Sequence, residues 1–560
     1  MKKLKEYLKN DLCFAFCLSL LFLLISVILF KPFFEEIDDT HIAMLSEGVY
    51  GVREAHLIYT NVILGYLYKA LLSLFPALRW HSVIQYMLIF ASYLGINRLL
   101  AGKEGGRMLS LLFSLATFYE LYVSLQYTKT AVFAVSAGLI LLLDNVHRLI
   151  DDKMDTGRLV FSCILVISGA LLRDMAFYIA LVFTGLTGLY ELYKNKHIKA
   201  YIKVFIPLLL TVIACFVIDR AVYASDPGWA SFMEFNEQRT KVTDYRYDLL
   251  DYPSRAKELK EAGISENDSL ICLTWQFGDD KVFDSEFFRS VIESGPKRRI
   301  GIKMLKEFAE HLYEQLFVPG AFILFMVVFT AFMLLFGKGG REDKIYVILV
   351  FLGAMAAFFY YQYSGRWSHR LIYASLIPMM LGFMYEYAKE DASLKEGHTD
   401  ATKTTLVIFT VLLTYLSVGS LLKNRFDYND YRRTKADVTI EEAYMEANAD
   451  KLFVTDTFTF QNAYVYDVFR AGREGSLKNA VCAGSWYTNC PVTKEITRRF
   501  GYENPYEALR ACDEDVLLID NCFADEKVTF MNEHSDRDYE AVLLEERNGY
   551  KSYGIRETGN

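Results

Sequence analysis

The residues best suited to chemistry follow the first apolar segment, in the run Phe33-Phe34-Glu35-Glu36-Ile37-Asp38-Asp39-Thr40-His41. A carboxylate at a membrane surface can accept a proton from a hydroxyl as that hydroxyl attacks an electrophile. A second carboxylate beside it can raise its pKa or help to hold a divalent cation such as Mg²⁺ or Mn²⁺. We therefore take Asp38 as a candidate general base with Asp39 as its neighbour, although an isolated Asp-Asp pair is more often part of a solvated acidic loop.

A basic group of residues lies in the run Tyr363-Ser364-Gly365-Arg366-Trp367-Ser368-His369-Arg370. Arg366 and Arg370 are four residues apart, and His369 is adjacent to Arg370. Guanidinium groups bind phosphate through paired hydrogen bonds, so this turn could clamp a lipid phosphate. Equally well, the arginines and Trp367 could anchor the turn among lipid headgroups.

Other polar residues lie at the ends of apolar runs. Arg173 precedes Asp174, and we expect the two to pair with each other, although Arg173 could instead join a phosphate site. His56 could contact a substrate, but a lone histidine at an interface is more often structural. Glu120 and Lys129 flank another turn and are predicted to form a salt bridge.

Membrane-spanning helices must position these residues. Of the 560 residues, 53% are apolar, and they are concentrated in long runs. A run of about twenty apolar residues crosses the hydrocarbon core as a helix. The candidate spans are 12–30, 81–100, 106–125, 130–147, 158–173, 175–193, 201–220, 316–336, 344–363, 369–388 and 403–422. The pattern predicts a polytopic α-helical membrane protein with about eleven transmembrane helices.

The basic residues of the short loops predict the orientation of these helices. No signal-peptide cleavage site follows the first apolar run, so we expect a retained first helix with a cytoplasmic N-terminus. The loops predicted on the inner face, which hold most of the basic short-loop residues, are 101–105, 148–157, 194–200, 337–343 and 389–402. The apolar run 56–76 fits this pattern only as an amphipathic helix lying in the outer interface.

Two large polar parts are predicted outside the cell membrane, in addition to the first outer loop 32–80. The loop 221–315 could cap an active site and select an acceptor, or it could be a folded ectodomain with no such role. The tail 423–560 is predicted to form an extracytoplasmic α/β or α+β domain after the transmembrane module 1–422. Within the tail, strands are predicted at 451–455 and 516–520, a terminal strand pair at 539–546 and 550–556, and helices at 441–449 and 505–511.

The cysteines and charged residues bear on three questions: disulfide bonds, a zinc site and nucleic acid as a partner. Four cysteines of the tail could form the local pairs Cys482–Cys490 and Cys512–Cys522 in an oxidising compartment. Neither their spacing nor that of the other cysteines indicates a zinc site. The sequence has no long basic patch, so we do not expect nucleic acid as a partner. The net charge of −8 says little about partners, because the charges lie outside the apolar runs.

In this order of parts the chain resembles the GT-C superfamily of membrane glycosyltransferases. In that family a first helix is followed by an outer loop opening with Asp-Asp or Asp-Glu, then by interfacial helices, a helix bundle and often an outer C-terminal domain. The resemblance places the family's catalytic base on Asp38 and its Leu-x-Arg-(Asn/Asp) element on Leu171-Leu172-Arg173-Asp174. The longer signature motifs of the well-studied branches are missing, so the chain looks like a member of an uncharacterised bacterial branch.

The resemblance implies transfer of a hexosyl or pentosyl group from a polyprenyl-phosphate donor to a cell-envelope glycan, lipid or protein in envelope polysaccharide biosynthesis. Two other classes stay open. An envelope polysaccharide polymerase, ligase or flippase would also use outer-face arginines, but would not need the Asp-Asp pair. A non-catalytic transport or sensor protein would need a polar pathway through the bilayer, and the predicted spans carry little charge away from their outer ends.

Overall fold

The computed structural model describes residues 9–103, 105–316, 327, 329–331, 333–334, 340–389, 440–460 and 467–559. The helices in chain order are α1 (Asp11–Ile28), α2 (Ile37–Glu47), α3 (Val62–Leu74), α4 (Trp80–Ala101), α5 (Gly106–Phe118), α6 (Tyr127–Ile150), α7 (Thr156–Leu172), α8 (Asp174–Asn195), α9 (Ile198–Ser225), α10 (Pro227–Thr240), α11 (Tyr252–Glu261), α12 (Glu266–Leu273), α13 (Ser285–Glu293), α14 (Ile302–Leu316), α15 (Arg341–Ser364), α16 (His369–Lys389), α17 (Pro491–Arg499), α18 (Pro505–Arg510) and α19 (Ala524–Glu533). A further helix covers 440–447. The strands are β1 (Phe33–Phe34), β2 (Ser124–Leu125), β3 (Leu452–Thr455), β4 (Ala480–Cys482), β5 (Val516–Ile519), β6 (Asp538–Arg547) and β7 (Tyr550–Thr558).

The chain is a helical membrane protein. Among the described residues, seven helices are long and apolar enough to cross a bilayer, namely α1, α4, α6, α8, α9, α15 and α16. Each matches one of the predicted spans. The predicted spans 106–125 and 158–173 contain the shorter helices α5 and α7, because α5 gives way to a π-helical turn at Tyr119–Val123 and α7 has only 17 residues. The predicted spans 316–336 and 403–422 lie mostly or wholly outside the described residues, so the total of eleven stays a prediction.

Two of the spanning helices form the centre of the bundle. In α6 and α16, 83% and 89% of the apolar window is buried, against 28% in α1 and 22% in α9. Glycines let α6 and α7 approach closely: a Cβ at Gly138 would lie 2.7 Å from the carbonyl oxygen of Ser162, and one at Gly169 would lie 2.8 Å from that of Ala131. Small residues at a helix–helix contact permit such packing within a membrane. Helices α6 and α7 are therefore packed in close contact at the centre of the bundle.

The apolar run 56–76, predicted as an interfacial helix, is helical only in α3. With 13 residues, α3 is too short to cross a core about 30 Å thick. The loop before it packs on α9, where the backbone N–H of Ile58 donates to the Tyr223 hydroxyl and that of Val62 donates to Asp219, both at 2.7 Å. These bonds fix the start of α3 against the end of a spanning helix.

The tail builds a five-stranded mixed sheet of order β4-β3-β5-β7-β6. The predicted strands at 451–455 and 516–520 are present as β3 and β5, which pair in parallel, and the predicted terminal pair is the antiparallel hairpin β6–β7. Asn548 and Gly549 turn the hairpin with positive φ angles of 51° and 83°, as expected for an Asn-Gly turn. Strand β4 was not predicted, because its run of three residues is too short to give a pattern. All nine cysteines are free thiols, so the two suggested disulfides are not formed.

A buried ion pair joins the first loop to the tail. Arg79, just before α4, contacts Glu47 at the end of α2 at 2.8 Å, and both side chains are at most 2% exposed. Arg79 also donates to the carbonyl oxygen of Asp467, and Glu47 accepts from the backbone N–H of Gly472. The pair therefore fixes the sheet-bearing tail on the membrane module.

We expect the substitution Glu47→Ala to destabilise the protein strongly. It would leave the Arg79 guanidinium buried without its carboxylate, which costs about 3–5 kcal/mol in comparable pairs. The control is Arg498→Ala, which breaks the exposed Arg498–Glu503 pair and should cost less than about 1 kcal/mol. Thermal unfolding in detergent measures both, and equal melting temperatures of the two variants would contradict this role of Glu47.

Candidate functional site

A cavity of about 390 Å³ opens where α2, α6 and α16 begin. Its charged lining residues are Glu36, Asp38, Arg173, Asp244, Arg366 and Arg370. Four of these, Asp38, Arg173, Arg366 and Arg370, are candidates from the sequence. Two of these candidates, Asp38 and Arg370, are 332 positions apart in the chain.

The cavity lies at one end of the spanning helices. Tyr127, the first residue of α6, lines it, whereas His147 lies near the other end of the same helix. At 1.5 Å per residue these two positions are about 30 Å apart, which is the thickness of a hydrocarbon core. At the far end, His147 and Lys389 both contact the buried carboxylate of Glu191. Charged residues are therefore gathered at both ends of the bundle, and the cavity belongs to one membrane face.

Asp38 and Arg370 form an ion pair within the cavity. The distance between Asp38 Oδ2 and Arg370 Nη1 is 2.7 Å, and the side chains are 14% and 17% exposed. Asp38 is in the first turn of α2, and Arg370 is the second residue of α16. The pair joins the predicted base directly to one of the predicted phosphate-binding arginines.

Arg366 is also paired. Its Nη1 lies 2.6 Å from Asp244, which in turn lies 3.1 Å from Arg239. Although burial acts to raise it, the guanidinium groups of Arg239 and Arg366 lower the pKa of Asp244 below its usual value. Asp244, Thr243 and Trp275 come from the loop 221–315, which therefore forms one wall of the cavity.

Arg173 lines the cavity without a carboxylate partner among the described residues. Its guanidinium lies over the rings of Tyr59 and Tyr127, 4.6 Å and 5.4 Å from their centroids. The expected pairing with Asp174 is wrong, because Asp174 is exposed and accepts from the backbone N–H of Met175 instead. Arg173 has an extended backbone between α7 and α8, with φ −157° and ψ 114°, and neighbouring side chains diverge in that conformation.

Glu36 is one of two cavity carboxylates that the sequence did not single out, the other being Asp244. It occupies the N-cap position of α2, yet its side chain makes no capping hydrogen bond. Burial raises the pKa of Glu36; Arg370 acts to lower it, whereas Asp38 and the other nearby carboxylates act to raise it. The adjacent Glu35 differs in that it pairs with Lys129, a distinction that no spacing pattern reveals.

Asp39 does not line the cavity. It is fully buried on the other side of α2, where Gln85 Nε2 and His81 Nε2 lie 2.8 Å from Oδ1 and the backbone N–H of Tyr127 donates at 3.1 Å. Burial raises the pKa of Asp39 against the opposing effect of these partners. Consecutive helical residues point about 100° apart, so only one of the two aspartates can face the cavity.

The two candidate histidines lie outside the cavity lining. His369 Nδ1 is 2.9 Å from Gln315, and its Nε2 is 3.2 Å from Glu120. Glu120 also forms the predicted salt bridge with Lys129, at 2.8 Å. The ring of His56 stacks on Trp229 at 4.9 Å, and its Nδ1 is 2.7 Å from Glu54.

The sheet of the tail forms the remaining wall. Strand β3 lies between its parallel neighbours β4 and β5, and such a switch in strand order places ligand-binding loops at the carboxyl ends. Thr457 and Phe458 follow β3, Ser485 and Trp486 follow β4, and all four line the cavity. Trp486 packs against Tyr59 at 4.9 Å between ring centroids. No motif in the sequence indicates these residues, because strand order becomes apparent only in the folded sheet.

In this cavity the described residues form no cluster of three metal ligands. Among the described residues, the one group of three that could hold an ion is Asp268, Glu533 and His534, none of which lines the cavity. A divalent cation therefore stays a prediction. Comparison of the chain with protein-family models, curated proteins and solved structures gives no match, so any function must be argued from the geometry of the cavity.

We expect the two adjacent aspartates to differ in their effect on stability. Asp39→Ala removes the acceptor of two buried donors, the backbone N–H of Tyr127 and the amide of Gln85, and should cost about 3 kcal/mol at 1–3 kcal/mol each. The control Asp38→Asn keeps an acceptor oxygen for Arg370 and should cost about 1 kcal/mol. Thermal unfolding of the two variants measures the difference; a larger loss in Asp38→Asn would contradict the assignment of Asp39 as the structural residue.

Proposed function

We propose that this protein is a GT-C-type membrane glycosyltransferase that moves a sugar from a polyprenyl-phosphate donor to a cell-envelope acceptor on the outer membrane face. One observation carries the proposal: a cavity at one end of the spanning helices holds carboxylates and guanidinium groups side by side. Transfer from a sugar phosphate needs both kinds of group. A carboxylate accepts the proton of the attacking hydroxyl, and a guanidinium stabilises the departing phosphate.

The phosphate is assigned to Arg173. Arg366 and Arg370 are each paired with a carboxylate within the cavity, whereas Arg173 rests on two tyrosine rings with no acidic partner among the described residues. Its charge is therefore available to an incoming anion without breaking an existing ion pair. Arg366 and Arg370 add further donors at the cavity wall.

The sugar is assigned to the aromatic part of the cavity. Tyr59, Trp275, Trp367 and Trp486 surround the charged groups, with hydroxyls from Thr457 and Ser485 nearby. Such a combination of apolar rings and a few polar groups is typical of small-molecule sites. The volume of about 390 Å³ suits one or two sugar rings, while the lipid tail of the donor stays in the bilayer.

The alternatives fit this arrangement less well. A transporter would need polar groups that connect the cavity with the charged cluster around Glu191. The middle of the central helix α6, residues 131–143, contributes only apolar residues and Ser136. A polymerase, ligase or flippase would share the arginines, but would leave the carboxylates beside them without a chemical role.

We expect Arg173→Gln to weaken donor binding. The purified protein would be assayed with decaprenyl-phosphate glucose, mannose, galactose and arabinose, by following release of the sugar from the lipid with a cell-envelope extract as acceptor source. The loss of a charge-assisted hydrogen bond of about 1.5–3 kcal/mol corresponds to a KM raised about 10- to 100-fold. Arg220→Gln, which removes an exposed arginine at the end of α9, is the matched control and should leave KM unchanged.

Two results would count against the proposal. An unchanged KM for the donor in Arg173→Gln would show that the donor phosphate does not bind to Arg173. A wild-type protein that neither releases sugar from any of the four donors nor binds decaprenyl phosphate would contradict glycosyl transfer altogether.

A further inference from the structure

The three carboxylates of the cavity differ in whether they form ion pairs with other described residues. Asp38 is paired with Arg370, and Asp244 bridges Arg239 and Arg366. Glu36 makes neither a hydrogen bond nor an ion pair with any other described residue. A general base must present an oxygen to the hydroxyl that it deprotonates. Glu36, whose oxygens have no such partner, is therefore the carboxylate best placed for this role.

Glu36 lies at the start of α2, where its side chain forms no hydrogen bond with the helix. It precedes the first turn of α2 with extended backbone angles, φ −132° and ψ 152°. An N-cap side chain in this conformation ordinarily bonds to the second or third backbone N–H of the helix, but the glutamate does not. Its carboxylate therefore lies in the cavity wall, on the same side of α2 as Asp38.

The charged groups around Glu36 suit proton transfer. Arg370 faces it from α16, while Glu35, Asp38 and Asp39 lie beside it on its own segment. Burial, reinforced by the nearby carboxylates, holds the pKa of Glu36 above its usual value. A carboxylate whose pKa is closer to the working pH accepts a proton more effectively than an ordinary one.

We infer that Glu36 is the general base of this cavity and that Asp38 is a positioning residue that holds Arg370. The inference rests on the proposed glycosyl transfer and replaces the assignment of Asp38 suggested by the sequence. In this account the Asp38–Arg370 pair directs the guanidinium across the cavity beside Glu36, and Glu36 provides the free oxygen.

The step balances as a single displacement. The acceptor hydroxyl oxygen forms a bond to the anomeric carbon of the donor sugar, and the bond from that carbon to the phosphate oxygen breaks. The electron pair of the broken bond stays on the polyprenyl phosphate, which Arg173 binds. The hydroxyl proton passes to Glu36, which releases it to water when the products leave. Attack from the side opposite the leaving group inverts the anomeric centre.

The test compares Glu36→Gln with Asp38→Asn, which remove one carboxylate each with little change of shape. Turnover is followed as release of sugar from the decaprenyl-phosphate donor that the wild type uses, across the pH range. In Glu36→Gln we expect kcat to fall about 100-fold or more with KM for the donor nearly unchanged, since general-base catalysis contributes about 10²- to 10⁴-fold. The decline of activity at low pH, where Glu36 becomes protonated, should disappear from the remaining rate. In Asp38→Asn we expect kcat to fall about tenfold and the decline of activity at low pH to remain.

A second readout separates a missing base from a damaged fold. Azide is a nucleophile with no proton to lose, so it should restore release of the sugar in Glu36→Gln, as the glycosyl azide, and have no such effect in Asp38→Asn. Glu36→Asp, which keeps a shorter carboxylate, should recover part of the lost rate. The melting temperature of Glu36→Gln should be close to that of the wild type, because no described residue loses a hydrogen bond or an ion pair.

Distinct results overturn the inference and the proposed function. If the wild type releases sugar and Glu36→Gln retains turnover within about threefold, Glu36 is not the base, and glycosyl transfer stands. If Asp38→Asn loses the low-pH decline and is rescued by azide instead, the base is Asp38. If the wild type acts on none of the donors, the proposed function fails and the inference with it.

Discussion

The buried carboxylate of Asp39 is the contact on which the geometry of the cavity depends. It joins α2 to His81 and Gln85 of α4 and to the first backbone N–H of α6. Since these partners come from two spanning helices, the rotation of α2 about its own axis is fixed. Asp38 and Glu36 then face the cavity, and Tyr127 is held where its ring can support Arg173. A buried polar group with several partners costs free energy when any of them is lost, so this contact is both stabilising and specific.

Around that contact the charges are arranged before any ligand arrives. Two arginines are neutralised by carboxylates at 2.6 Å and 2.7 Å, while one arginine and one carboxylate of the cavity have no ion-pair partner in the part of the chain that the structure describes. Preorganised charges of this kind stabilise a transition state without reorganising during the reaction. The paired groups set the shape of the cavity. Arg173 and Glu36 have no ion-pair partner among the described residues, and we propose that they bind a phosphate and a hydroxyl. The same cavity takes walls from the loop 221–315 and from the sheet of the tail, so the polar parts of the chain are tied to its membrane part.

Much of this arrangement follows from the sequence. Long apolar runs are a strong signal, and seven predicted spans appear as helices of spanning length. With the basic short loops on one membrane face, the candidate site residues were predicted to lie together on the opposite face. In the structure these residues line one cavity: Asp38, Arg173, Arg366 and Arg370. The sequence could not separate Asp38 from Asp39, because their roles depend on which side of α2 meets α4. Nor could it distinguish Glu36 from Glu35, whose partner Lys129 lies 94 positions further along the chain. The wall formed by Ser485 and Trp486 depends on strand order, which local patterns do not encode.

The most direct measurement is an experimental structure of the protein with decaprenyl phosphate bound in a lipid nanodisc. The account predicts density for the phosphate within hydrogen-bonding distance of Arg173, at the end of α6 marked by Tyr127, with the lipid tail running into the bilayer. The Asp38–Arg370 pair should remain intact beside it. Phosphate density at the opposite end of the bundle, near His147 and Lys389, would contradict the account.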